Sequence, residues 1–217
     1  YINIIKTVIC SELYDAVCCH PDMVVTPMGG RLIVVAPNVV GYYGPIFRRL
    51  GFDVIEGRTF LERNYPWNIA YNVCRVGNFL IHNLKYTDES ILKIAQEKKL
   101  KKISVPQAYS KCSIIVINES AIITSDISIH SKVGKYGIDS LLVNPEEIVL
   151  SGLNHGLIGG SCGFLNKDLL GFFGDIRHLK NYKEIKGFLE KYNKKYILLE
   201  DNRLQDLGSL IPLKEVY

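Results

Sequence analysis

No apolar run in the chain approaches the roughly 20 residues that a membrane-crossing helix requires, because Asn118, Asn166 and the lysine-rich segments interrupt every candidate. A helical span is thereby excluded, and no membrane partner is expected. Residues 1–10 lack both a basic leader and a small-residue cleavage pattern, so they do not read as a signal peptide. No proline-rich or low-complexity linker divides the chain, and one domain over residues 1–217 is expected. Neither a P-loop nor a dinucleotide fingerprint occurs, and no Cys-x-x-Cys accompanies the histidines, so no cofactor and no metal are expected. Charge of one sign is also scarce. The net charge is only +4, and its lysines lie in two helical-pattern segments, residues 93–102 and 180–195, that read as solvated faces. Nucleic acid is not the expected partner. The six cysteines are not needed as staples in a chain of 217 residues that is 47% hydrophobic. Free thiols in a reducing cytosol, hence a cytoplasmic location, are expected.

What the chain does have is a recurring hairpin. In residues 109–126 two β-branched arms flank the polar turn Asn118-Glu119-Ser120. Residues 160–175 repeat the pattern, with a cysteine in the first arm and an aspartate closing the second. Residues 72–83 and 16–36 give earlier copies, the latter turning at Gly29-Gly30, and residues 206–213 a fifth with glycine in place of cysteine. Uneven spacing of the marks Cys18, Cys74, Cys112, Cys162 and Gly208 is what loop insertions do to a divergent array. Four of the hairpins are followed by a helix and a strand: residues 39–50 and 52–55, 87–100 and 102–105, 132–136 and 140–143, 182–192 and 195–199. The expected fold is α/β, a ββαβ module repeated around one centre.

Five such modules about a pseudo-fivefold axis make the pentein fold, and the chain resembles that superfamily of guanidine-modifying enzymes and their non-catalytic relatives. Leu157-Ile-Gly159-Gly160-Ser161-Cys162-Gly-Phe-Leu resembles the Gly-Gly-Asp strand of arginine deiminases and dimethylarginine hydrolases. Asp206-Leu-Gly208-Ser209-Leu-Ile-Pro212-Leu213 is similar to the segment that holds their nucleophilic cysteine. As a whole the chain resembles an uncharacterised bacterial pentein-like family of unknown function. Two departures qualify what the resemblance implies. Ser161 stands where those enzymes have the substrate-binding aspartate, and Gly208 where they have the cysteine. A guanidinium has no bidentate partner at the first position and no covalent intermediate forms at the second.

Modules set around one axis bring Cys18 or Cys19, Cys74, Cys112, Cys162 and Ser209 toward a central, ligand-holding pocket. Cys112 is the candidate nucleophile, with Lys111, Arg75, His20 and His155 as groups able to favour its thiolate. Free cysteine is also a common small core residue. His20-Pro21-Asp22 places an imidazole and a carboxylate on one face of an extended strand, where Asp22 fixes the tautomer and His20 moves protons. His155 is the second candidate acid and base. Arg75, Asn72, Ser161 and Ser209 are the candidates for substrate binding. The expected function is a cysteine-dependent hydrolase or transferase acting on a small amidine, guanidine or amide. The alternatives are a non-catalytic small-molecule binder and a binder of the ribosome or another protein.

Overall fold

The computed structural model describes residues 2–213. They form two compact units, residues 6–110 and residues 111–213 with 2–5. In the N-terminal unit β1 (Val25–Gly29), β2 (Leu32–Val35) and β3 (Asp53–Glu56) make one sheet, with α1 (Val40–Arg49) between the second and third strands. A tight turn makes β2 antiparallel to β1, whereas pairing parallel to β3 requires a crossover, which α1 supplies. The same order recurs in β4 (Cys74–Val76), β5 (Phe79–His82), α2 (Glu89–Glu97) and β6 (Lys101–Ser104).

The C-terminal unit opens from the single helical turn α3 (Ser110–Ser113) and carries the order twice more. Its first sheet has β7 (Ile114–Asn118), β8 (Ala121–Thr124), α4 (Ile127–Val133) and β9 (Asp139–Leu142); its second has β10 (Cys162–Asn166), β11 (Leu169–Phe172), α5 (Tyr182–Lys191) and β12 (Lys195–Leu198). The two hairpins turn by one device. Asn118 accepts from the Ser120 N–H at 2.8 Å and Asn166 from the Asp168 N–H at 2.9 Å, each just after a bulge in the first arm. The aspartates that close the second arms cap the next helical turn: Asp126 accepts from the Ile129 N–H of α4, and Asp175 from the Arg177 N–H of a short 3-10 turn. Central strands are covered on both faces, β8 being buried throughout, which is why they read as continuous apolar runs. Ile115, Ile123, Ile158, Leu170, Phe172, Ile185, Leu189 and Leu204 form the core of this unit.

Several expectations are corrected. Four three-stranded sheets form among the described residues, and residues 203–213 make no fifth hairpin; they join by single parallel bridges, Val149 to Gln205 and Asp175 to Arg203. The cysteines do not mark equivalent places. Cys162 pairs with Phe172 at the end of its ladder and Cys74 pairs with Ile81, while Cys112 precedes the ladder in α3 and Cys18 and Cys19 lie in turns before β1. What recurs is the strand register, to which a cysteine is incidental. The helix of the third module, α4, starts at Ile127, ahead of the expected residue 132, because Asp126 caps it there.

Candidate functional site

The N-terminal unit holds His20, Asp22, Asn72 and Arg75. His20 and Asp22 are buried, but Asp22 lies in a 3-10 turn, Pro21–Met23, and His20 immediately precedes it, so the pair is not on a strand face as expected. Proline has its φ preset for the first position of such a turn and lacks the N–H that a ladder needs. Asn72 donates from Nδ2 to the Asp22 carbonyl at 3.2 Å. Arg75 donates from Nε to the Gly77 carbonyl at 3.0 Å and from a terminal nitrogen to the Met28 carbonyl at 2.7 Å, which ties the end of β1 to the turn between β4 and β5.

The C-terminal unit holds Cys112, His155, Ser161 and Ser209, and here a polar cluster is built almost wholly by backbone. Residues 203–210 thread between two segments: the Asp206 N–H bonds to the Val149 carbonyl, the Leu207 and Ser209 N–H groups to the Gly160 carbonyl, and the Leu210 N–H to the Cys162 carbonyl. Asp206 fixes the bend, accepting from the Leu157 N–H at 2.9 Å and, as an Asx turn, from the Gly208 N–H at 3.0 Å. Gly208 and Ser209 then take positive φ, +82° and +68°. For serine that conformation costs about 1 kcal/mol. The glycine pair of the opposite segment allows this approach. A Cβ on Gly159 would meet the Lys111 and Ile114 carbonyls, and one on Gly160 the Asp206 carboxylate.

The result is a short chain of polar contacts. Lys111 donates from Nζ to Ser209 Oγ at 3.0 Å, and Ser209 donates from Oγ to the Gly159 carbonyl at 2.8 Å. Ser209 is 3% exposed and Lys111 half-buried. Cys162 lies in the same neighbourhood: burial pushes its thiol up to about 12, Lys111 pulls it down less strongly, and Asp206 adds to the rise. Such a thiol is not a nucleophile near neutral pH. Cys112, next to Lys111 in sequence, is 2% exposed. Ser161 donates to the Ile158 carbonyl at 2.7 Å, within its own turn. His155 is exposed, its Nδ1 2.9 Å from the Gly156 carbonyl.

Sequence reasoning gives Asp206 no role and Lys111 only that of a thiol's neighbour. The Asp-x-Gly-Ser order of residues 206–209 is the signal for the first, since it spells an Asx turn. Nothing local pairs Lys111 with a residue 98 positions away.

A family model described as "Family of unknown function (DUF6873)" matches residues 1–211. No curated protein sequence matches the chain. Among solved structures the chain is similar to SxtG, an amidinotransferase from Microseira wollei in the saxitoxin biosynthetic pathway, with a TM-score of 0.53, 12% identity, and coverage of 88% of this chain and 66% of that one. It is similar also to the inosamine-phosphate amidinotransferase of Streptomyces griseus (TM-score 0.51, 10% identity, 88% and 64%) and to a substrate-bound agmatine deiminase of C. jejuni (0.50, 12%, 80% and 65%). The chain thus spans about two thirds or less of the length of each of these proteins. The likeness shows the fold, which is that of the pentein superfamily. Among the described residues no helix is long and apolar enough to cross a membrane.

Proposed function

The chain belongs to the family of unknown function DUF6873, and from that premise we propose that it acts on the C–N bond of a small neutral amide. The pentein scaffold is kept and the reacting groups are changed. The names of its structural neighbours, amidinotransferases and a deiminase, supply the class of bond, a C–N bond at a trigonal carbon. What narrows the class is Lys111. Its ammonium stands 3.0 Å from Ser209, beside the position that the resemblance gives to the nucleophile. A guanidinium placed there meets a like charge within ~4 Å, a repulsion on the order of 4 kcal/mol in a half-buried site. Ser161 offers that guanidinium no carboxylate and its hydroxyl is engaged with the Ile158 carbonyl, while the neighbouring Asp206 carboxylate is taken up by the Leu157 and Gly208 N–H groups. An amide carbonyl is uncharged and accepts hydrogen bonds, so the same lysine favours it.

The test is release of ammonia or amine by purified protein from two panels, small primary and secondary amides against agmatine, arginine and dimethylarginine. Turnover confined to amides is expected. Turnover confined to the guanidines would overturn the reading, and binding of an amide without turnover would replace it with a non-catalytic binder.

A further inference from the structure

We infer that Ser209 and Lys111 form a nucleophile–base dyad, and that the reaction runs through an acyl ester on Ser209 Oγ. The inference rests on the amide reading and supplies its chemistry. It starts from a backbone outlier. Among the described residues three other than glycine have positive φ, and Lys99 and Asn193 are exposed residues just past the ends of α2 and α5, where a left-handed residue is ordinary. Ser209 succeeds no helix. It is buried, and the bonds of Asp206, Gly160 and Cys162 over-determine the bend that holds it. Left-handed strain of this kind at a hydroxyl-bearing residue is the arrangement that presents a nucleophile on a sharp turn.

The partners of the hydroxyl fit the role. A serine oxygen needs a base within hydrogen-bond reach to shed its proton, and Lys111 Nζ is 3.0 Å away. The Gly159 carbonyl, at 2.8 Å, holds the hydroxyl proton while Lys111 is an ammonium that donates to Oγ. The ammonium is the resting form, which disfavours a bound guanidinium; with a neutral amide bound, loss of the ammonium's proton to water turns the Nζ lone pair to the same oxygen, and the hydroxyl swings from Gly159 to Nζ. Attack then forms the Oγ–C bond as the proton passes to Nζ. Collapse breaks the C–N bond, and the amine leaves with that proton. Water hydrolyses the ester by the reverse route, giving the carboxylic acid and free Ser209. The sum is amide plus water to acid plus amine, with no oxidant or reductant. Asp206 is a positioning residue, since it acts through the backbone of Leu157 and Gly208.

A probe independent of substrate identity tests the dyad: a fluorophosphonate, which phosphonylates activated serine hydroxyls, with the modified peptide read by mass spectrometry. One label at Ser209 is expected on the native protein. Ser209→Gly, which accommodates φ +68° without strain, should keep the native melting transition and take no label. Lys111→Met should label about a hundredfold more slowly. Lys111→Arg should be equally slow, because a guanidinium still donates to Oγ but cannot take its proton; a purely structural bond would survive that change. Labelling that is absent from Ser209, or undiminished in Lys111→Arg, overturns the dyad, and ammonia release from amides would then leave the amide reading standing. Ser209 labelled without turnover of any amide supports the dyad and removes the amide reading.

Discussion

Lowering the pH should weaken the N-terminal unit through the buried imidazole of His82. His82 is 0% exposed at the end of β5, with Nε2 2.9 Å from the Ala108 carbonyl and Nδ1 2.7 Å from Thr87 Oγ1. A carbonyl can only accept, so Nε2 carries the proton and Nδ1 faces the Thr87 hydroxyl, whose oxygen also lies 3.3 Å from the Asn83 carbonyl. Burial lowers the imidazole from 6.5 to about 4, only partly opposed by the backbone carbonyls around it. Between those values the unfolded chain binds a proton that the folded chain refuses. The stabilisation is complete above pH 6.5 and is lost as the pH falls toward 4, with an upper size of roughly 3 kcal/mol. Urea unfolding at half-unit steps from pH 7.5 to 4.5, wild type against His82→Gln, isolates this contribution from other titrations. Glutamine keeps a donor for Ala108 and has nothing to titrate. It should be less stable than wild type at pH 7.5, with the gap narrowing by about 2–3 kcal/mol at pH 4.5. Parallel curves, or an imidazole that titrates near 6.5 by NMR in the folded protein, would refute the reasoning.

Other outcomes rest on contacts of the same kind. Asp206→Ala leaves the half-buried Leu157 and the buried Gly208 N–H groups without their acceptor and should cost roughly 2–5 kcal/mol in urea unfolding, Asp206→Asn about half; a change under ~0.5 kcal/mol contradicts the bend described for residues 206–209. Asp126→Ala removes the cap of α4 and should cost about 1 kcal/mol, read as a lower urea midpoint at unchanged slope. With iodoacetamide at pH 7.5 the exposed Cys19 should be modified in the native protein, and Cys162, kept a protonated thiol because burial pushes it up to about 12, only after denaturant is added.

Much of the fold is legible in the sequence because its signals are local. Asn118 and Asn166 announce their turns, Asp88 and Asp126 their helices, and α5 and β12 fall within one residue of the expected 182–192 and 195–199. The first hairpin is misplaced because Cys18-Cys19-His20 looks apolar enough for a strand, whereas Pro21 ends any ladder there. Cysteine misleads as a repeat mark since its small apolar side chain suits many buried places, and register, which does recur, leaves no residue type constant. The candidate site is legible only in part. Ser209 and the Gly159-Gly160 pair stand out by resemblance, but Lys111 reaches Ser209 through the packing of two distant segments, to which no spacing rule applies. Cys112 is favoured for the cation beside it in sequence, and that cation donates to Ser209.

The claim that serine does the chemistry on this scaffold is tested most directly by comparing ammonia release from one responsive amide by the wild type, Ser209→Gly and Cys112→Ser. Cys112→Ser is expected to stay within a few-fold of wild type, and Ser209→Gly to fall by about a hundredfold or more. Activity lost with Cys112 and kept without the Ser209 hydroxyl would contradict the account and return the reaction to a cysteine.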